Sequence, residues 1–150
     1  MRDEFSAALK DAMRAGDKRR VSTVRLITSA LKDRDIEARG AGRGPLADEE
    51  ILGLLQKMVK QRQESLKIYE DNNREDLASQ EREEIAIILG FMPQQMDEAA
   101  VSAAIDAAVA ATGAAGMKDM GKVMAALKEQ FAGRMDFGKA SAAIKAKLAG

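Results

Sequence analysis

The sequence predicts an all-α protein with two helical domains: an N-terminal helical bundle (residues 1–93) and a small C-terminal three-helix tail domain (residues 94–150). Apolar residues recur at three- and four-residue spacing in nearly every segment, and no segment alternates like a strand. The composition changes at Met92-Pro93, where proline prevents a helix from continuing and an alanine-rich stretch begins. A chain of 150 residues is long enough to bury a stable core.

The first two helices are predicted from apolar stripes and from the residues at their ends. The first stripe ends at Gly16, a typical C-terminal residue, and comprises Phe5, Ala8, Leu9, Ala12 and Met13. Asp17 is suited to cap a second helix that runs to about Arg39. Its early turns are basic and contain Lys18, Arg19, Arg20 and Arg25. Ion pairs with Asp17 or with acids of neighbouring helices are the favoured explanation; an anion site at the helix start is the alternative.

The glycine-rich segment 40–45 is predicted to be an interhelical loop, because it lacks the spacing of a phosphate-binding loop and follows a helix. A third helix opens with the acids of residues 48–50, keeps one face apolar over roughly five turns and stops at Asn72-Asn73. Asn73 is expected to cap the fourth helix, which ends at Gly90. Its acids are expected to pair with Arg82 or with the basic second helix, and comprise Glu81, Glu83 and Glu84.

Three short helices are predicted in the tail. The first ends at Thr112-Gly113, the second runs from about Met120 to Phe131, and the third from Phe137 to Leu148. In the loop between the last two, Gly133 suits a helix C-terminus and Asp136 a helix start, whereas capping does not explain Arg134. The methionines are interpreted mainly as core filler.

Local positive charge makes the tail a candidate binding surface. Residues 117–150 contain seven cations and three acids, in a chain whose net charge is zero. Gly121 interrupts an apolar helical pattern, which predicts close approach of another backbone or of a ligand. The candidate RNA-binding residues are Lys118, Gly121, Lys122, Gly133, Arg134, Lys139 and Lys145.

The composition argues against several kinds of chemistry. The chain has no cysteine and no histidine, which excludes thiolate metal sites and the usual catalytic triads. No catalytic, cofactor-binding or metal-binding residue is therefore predicted. The N-terminus lacks the apolar region of a secretory signal, and no apolar run reaches the length of a membrane span. These features predict a soluble cytoplasmic protein with no membrane partner.

Motifs along the whole chain resemble the GatB/YqeY family, in its free-standing YqeY type. In the N-terminal half these are residues 11–20, 23–26, 48–51, 60–65, 69–70 and 74–78, with Glu81, Glu84 and Met92-Pro93. The tail motifs resemble the C-terminal tail of the B subunit of the aspartyl/glutamyl-tRNA amidotransferase, and are residues 120–124 and 133–136. Three positions depart from the family pattern. Ala47 replaces a hydroxyl residue, so the helix cap is expected to shift to Asp48, and Met135 with Phe137 alters the tail corner.

The resemblance implies an all-helical protein of two domains, bacterial-type and connected with translation. In the amidotransferase, the tail helps to hold tRNA while other domains perform the chemistry. The family label implies a carbon–nitrogen ligase with glutamine as amido-N-donor. Nothing in this chain resembles the kinase-like or amidase parts, so enzymatic activity is not expected of it alone.

Three functions follow in order of preference. The first is a non-catalytic accessory protein that binds tRNA through the tail domain, without a cofactor. The second is an adaptor that presents the polar face of the helix over residues 48–73 to a protein partner. The third is a component of a glutamine-dependent aminoacyl-tRNA amidotransferase. The partners implied are tRNA, and amidotransferase subunits or synthetases.

Overall fold

The structure is a computed structural model that describes residues 1–149. Within those residues there are seven α-helices and no strand, which confirms the all-α prediction. A 3₁₀ helix, Met117–Asp119, precedes the sixth. The α-helices are α1 (Arg2–Ala15), α2 (Lys18–Gly40), α3 (Asp48–Asp71), α4 (Glu75–Leu89), α5 (Glu98–Thr112), α6 (Met120–Phe131) and α7 (Phe137–Ala149).

Contacts within the chain divide it into two compact units, Met1–Pro93 and Gln94–Gly150, which we call the N-terminal unit and the tail unit. The division falls at the proline where the composition changes. That each unit folds as an independent domain stays a prediction.

The N-terminal unit is built around α2, α3 and α4. Helix α3 packs along α4, and α2 contacts α1, α3 and α4. Phe5 of α1 meets Phe91 edge to face, with ring centroids 5.1 Å apart. The largest fully buried apolar side chains of this unit are Phe5, Val24, Ile27, Ile51, Leu55 and Ile88. Since they come from all four helices, burial of this one cluster holds the unit together.

The glycine-rich segment is an interhelical loop, as predicted, and its far end is anchored by Asp35 of α2. The Asp35 carboxylate accepts hydrogen bonds from the Leu46 amide (2.9 Å) and from the Arg2 guanidinium (2.8 and 2.9 Å). The bonds from Arg2 and then Leu46 lower the pKa of Asp35 to about 2. Leu46 itself is buried in the core. The loop is therefore attached at the point where it joins α3.

Glycine and aspartate end and begin helices where the sequence predicts. Gly16 ends α1 with φ +71°, and the Asp17 side chain accepts from the Arg20 amide at 3.1 Å. The prediction for Asn73 is wrong. Asn73 has φ +56° and ends α3, while the Arg74 amide bonds back to the Tyr69 carbonyl at 2.8 Å. Asparagine tolerates the left-handed conformation, so it serves as well at a C-terminus as at an N-terminus.

The start of α3 also differs from expectation. The cap does not shift to Asp48: α3 begins at Asp48, and Ala47 occupies the N-cap position with an extended backbone (φ −73°, ψ 163°) and no side-chain cap bond. The acids of the first turn still face the positive end of the helix dipole. One cap bond is thus missing from the longest helix in residues 1–149.

Replacing Ala47 with serine is expected to stabilise the N-terminal unit by about 1 kcal/mol, because the exposed backbone at this position already has cap geometry. The midpoint of urea unfolding would measure the gain. Ala47→Val, which adds a side chain that cannot cap, is the control and should give no gain. Equal midpoints for Ala47→Ser and Ala47→Val would contradict the prediction.

The tail unit consists of α5, the 3₁₀ helix, α6 and α7, all packed on one core. Its buried residues are Ile105, Val123, Leu127, Met135, Ala140 and Ile144. Met135 lies in that core, and Met96, Met120 and Met124 pack against it, as expected of filler. Among the described residues, no single helix has both the length and the apolarity to cross a membrane. Within residues 1–149, α5 taken together with Met117–Phe131 is the only pair with the length and composition of a span, and the two helices are bent by 99°.

Candidate nucleic-acid interface

The corner between α6 and α7 has the capping geometry that the sequence predicts. Gly133 is buried and has φ +74°, a conformation that favours glycine. Asp136 accepts hydrogen bonds from the Gly138 amide (2.8 Å) and the Lys139 amide (3.2 Å), so it caps α7. Because the loop is short and α6 packs against α7, the two helices form an antiparallel hairpin.

Arg134 has a role inside the tail unit that the sequence did not reveal. Its Nε donates to the Gln94 carbonyl oxygen at 3.0 Å, and its guanidinium lies 5.8 Å from the centre of the Phe131 ring. Its backbone carbonyl accepts from the Met96 amide at 2.9 Å. Arg134 therefore joins the first residues of the tail unit to the α6–α7 corner. A charge-changing substitution here would disturb the fold as well as any ligand contact.

Gly121 lies in the first turn of α6 and is exposed. The prediction that another protein backbone approaches it is wrong for the described residues, since a Cβ built at Gly121 would meet no heavy atom within 4 Å. The reason is its position: the apolar stripe of α6 faces the core, and Gly121 lies outside it. Its role toward a ligand stays a prediction.

All four lysines among the predicted RNA-binding residues are exposed, namely Lys118, Lys122, Lys139 and Lys145. The Lys122 side chain is 71% exposed and lies 3.9 Å from the Asp119 carboxylate. The Ala115 amide, and then Lys122 and Lys118, keep the pKa of Asp119 below its usual value. An ion pair this long with an exposed lysine contributes little to stability and leaves the ammonium accessible to another anion.

The hairpin divides the predicted residues between its two ends. Lys118 and Lys122 lie at the start of α6, and Lys145 lies near the end of α7, which returns to the 3₁₀ helix. Arg134 and Lys139 lie at the opposite, loop end. Helix α6 of 12 residues is about 18 Å long, so one extended anion would be needed to contact both groups.

The acids of α5 reduce the positive charge of the tail unit. Residues 94–150 carry seven cations and six acids, a net charge of +1. Lys147 is paired with Asp106 of α5. The cations of the tail unit therefore all lie on the 3₁₀ helix, α6, α7 and the loop between α6 and α7, and none lies on α5.

Internal contacts explain two of the four cations at the start of α2, Arg19 and Arg20. Arg19 pairs with Glu83 at 3.0 Å and with Glu84 at 3.9 Å, which confirms the predicted ion pairs between helices. Arg20 instead lies over the Phe91 ring, 5.5 Å from its centre. Arg82 pairs with Glu75 and Glu70, not with the neighbouring acids Glu81 or Glu83.

A buried ion pair between α3 and α4 was missed at the sequence level. Arg62 Nε donates to Glu84 Oε2 at 3.0 Å, and the two side chains are 15% and 9% exposed. Burial and the nearby Glu84 raise the pKa of Glu81, one of whose oxygens is buried without a hydrogen-bond partner. Residue spacing could have predicted this pair. Arg62 follows the buried Met58 by four residues, and Glu84 precedes the buried Ile88 by four, so both lie on the helix faces that point to the core.

A family model described as Yqey-like protein matches residues 2–148. The chain belongs to the YqeY-like family. The match covers nearly the whole chain, so it includes both the N-terminal motifs and the tail motifs from which the resemblance was inferred. The family predicted from these motifs is thereby confirmed, whereas the match does not test tRNA binding.

Yeast proteins named altered inheritance of mitochondria protein 41, mitochondrial, are similar to this YqeY-like protein. That of Vanderwaltozyma polyspora is 32% identical over 96 residues, covering 59% of this chain and 50% of the relative. That of Lachancea thermotolerans is 36% identical over 86 residues, which cover 57% of this chain and 44% of the relative. That of Saccharomyces cerevisiae is 33% identical over 87 residues, which cover 57% of this chain and 45% of the relative. The chain spans about half the length of the curated relatives it matches.

The prediction of a cytoplasmic location is wrong on this comparison, because the similar yeast proteins are named as mitochondrial. The prediction relied on the lack of an apolar secretory signal. That criterion concerns export alone, since mitochondrial targeting segments are amphipathic and arginine-rich rather than continuously apolar. The composition of this YqeY-like chain therefore could not decide between the two compartments.

Proposed function

We propose that this YqeY-like protein is a non-catalytic tRNA-binding protein whose tail unit contacts the phosphates of folded tRNA. The observation that carries the proposal is the exposure of Lys118, Lys122, Lys139 and Lys145 on the helices that bear the tail motif. Among the carboxylates of residues 1–149, only Asp119 lies within 4.0 Å of one of these ammonium groups, and in this long pair the Lys122 side chain remains exposed. Ammonium groups in this state are available to phosphate oxygens.

The cations at the two ends of the hairpin, Lys118, Lys122 and Lys145 at one end and Arg134 and Lys139 at the other, suit an extended polyanion better than a small one. They lie at opposite ends of a hairpin about 18 Å long, so a single small anion can reach only one group. A nucleic-acid backbone presents phosphates repeatedly along such a distance. Contacts of this kind position an RNA without reading its sequence.

The aromatic residues favour recognition of shape over recognition of bases. The whole chain contains four phenylalanines and one tyrosine. Phe131 and Phe137 of the tail unit pack against its core and are half-buried, so they are poorly placed for base stacking. We therefore infer binding to the helical or elbow surfaces of tRNA, where phosphates and 2′-hydroxyls are presented in a fixed geometry.

The test is tRNA binding by charge-reversal variants, measured by fluorescence anisotropy over a range of salt concentrations. Lys118→Glu/Lys122→Glu and Lys139→Glu/Lys145→Glu are each expected to weaken binding roughly tenfold and to reduce the log–log salt slope by about 0.7 to 0.9 per lost contact. These variants leave Arg134 and its contact with Gln94 intact. Gly121→Ala completes the set, because the added methyl group would meet no neighbouring side chain or helix of the described residues within 4 Å. Loss of binding by this variant would indicate close approach of the RNA backbone.

The matched control is Lys57→Glu/Lys60→Glu, which reverses two exposed charges on α3 of the N-terminal unit. It has the same change in net charge, so it separates a local surface from general electrostatic attraction. Equal weakening by the control and the tail variants would contradict a tail-specific surface. Unchanged tRNA binding by the combined four-lysine variant at low salt would contradict the proposed function.

A further inference from the structure

An open groove of about 770 Å³ lies on the N-terminal unit, between α1, α2 and α4. It follows α2 from Lys18 to Ser29, a distance of about 16 Å at the rise of an α-helix. Gly16, which ends α1, and Gln80 of α4 also line it. Its length corresponds to about three turns of a second helix.

Two large apolar side chains line this groove and remain exposed. Met13 of α1 is 56% exposed, and Leu26 of α2 is 47% exposed. Ala12 and Val21 lie on the same lining. An isolated exposed apolar residue needs no explanation, but two on the lining of one concave surface are typical of a site that a partner covers.

The charge on the lining is almost entirely positive. Lys18 and Arg25 are exposed, and Arg19 is half-buried. Among the described lining residues the only acid is Glu84, and it is buried and hydrogen-bonded to Arg62. The groove therefore presents cations beside an apolar floor, with no exposed carboxylate on its described lining to neutralise them.

We propose that this groove binds an acidic amphipathic helix of a partner protein. The apolar face of such a helix would cover Met13 and Leu26, and its acids would pair with Lys18 and Arg25. Recognition of an amphipathic helix by an apolar groove is a recurring mode that uses anchors at i, i+3 or i+4, and i+7. A nucleic acid fits less well, because its phosphates would lie against the two exposed apolar side chains. The proposal does not depend on tRNA binding, since every lining residue belongs to the N-terminal unit.

The test uses a fluorescent synthetic peptide of three helical turns, with leucines at i, i+4 and i+7 and glutamates on both flanks. Anisotropy with the full chain should show binding, and amide shifts in NMR spectra should be concentrated in residues 12–29 and near Gln80. Leu26→Glu and Lys18→Glu/Arg25→Glu should each weaken binding at least tenfold. A peptide of the same composition in shuffled order, and one with lysine in place of glutamate, should bind at least tenfold more weakly.

Matched control variants exist on the same helix. Ile36→Glu changes an apolar residue that is 55% exposed but does not line the groove, and Lys32→Glu reverses an exposed charge outside it. Both should bind the peptide as the unchanged chain does. Circular dichroism should show that all variants retain their helices, because the changed residues are outside the core.

Three results would overturn the proposal. The first is no difference between the ordered and shuffled peptides, or no binding of the ordered one. The second is a dimer in solution, by light scattering, that Leu26→Glu dissociates and Ile36→Glu does not, since a second copy would then cover the groove. The third is loss of tRNA binding in the groove variants without loss of peptide binding, which would assign this surface to RNA.

Discussion

Replacing Ile144 with alanine is expected to unfold the tail unit at temperatures where the N-terminal unit remains folded. Ile144 is fully buried and packs in a core that also contains Ile105 and Leu127. Removal of three buried carbons leaves a cavity and costs about 3 kcal/mol. A unit as small as Gln94–Gly150 has a total stability of only about 3–9 kcal/mol. The substitution therefore removes a large share of the stability of the tail unit.

The measurement is calorimetric unfolding combined with methyl NMR signals assigned to each unit. Ile88→Ala is the matched control: Ile88 is equally buried, but in the core of the N-terminal unit. Each variant should lower only the transition of its own unit, as expected of two domains. A single cooperative transition that both variants shift equally would contradict the predicted boundary at Pro93.

Replacing Arg62 with methionine is expected to destabilise the N-terminal unit by about 3 kcal/mol. The guanidinium is the donor to the buried Glu84 carboxylate, and its Nη1 also donates to the Met58 carbonyl at 3.2 Å. Without it, Glu84 keeps a hydrogen bond from Gln80 at 3.3 Å and a long ion pair with Arg19 at 3.9 Å, and it still has the acidic side chain of Glu81 as a neighbour. Breaking a buried pair by removing one partner leaves an uncompensated charge, which costs more than the pair contributes.

The double variant Arg62→Met/Glu84→Leu separates the cost of leaving the Glu84 charge without Arg62 from the net contribution of the Arg62–Glu84 pair to stability. It should recover most of the lost stability, because an apolar pair of similar volume replaces both charges. Arg82→Met, which removes the exposed partner of Glu75, should leave the urea midpoint nearly unchanged. If the double variant were as unstable as Arg62→Met alone, lost packing and not an unpaired charge would be the cause.

The fold could be predicted well where the determining contacts lie within one helical turn. Apolar spacing located each helix, and Gly16, Asp17, Gly113, Gly133 and Asp136 marked helix ends at or next to the observed positions. Asn73 was misplaced because the same residue type suits both ends of a helix. The 3₁₀ helix before α6 was missed; its last residue, Asp119, accepts a hydrogen bond at 3.0 Å from the amide of Ala115, which lies just before this helix.

The candidate site could be predicted only in part. Exposure of the four tail lysines agrees with their polar positions on α6, α7 and the 3₁₀ helix. The internal role of Arg134 could not be predicted, because its partner Gln94 lies 40 residues away in the sequence. The different surroundings of the basic residues at the start of α2 could be seen only in three dimensions, where Arg19 pairs with an acid of α4 while Lys18 and Arg25 are exposed on the lining of a groove.

The sequence alone determined the helical class, the positions of the helices, the composition change at Pro93 and membership of the YqeY-like family. These properties depend on residue spacing, on backbone preferences and on motifs, all of which can be followed along the chain. The tertiary structure decided which charges are buried in pairs, which remain exposed and where a groove forms. Those outcomes depend on which helix faces pack together, and residues such as Arg62 and Glu84, 22 positions apart, become partners only through that packing.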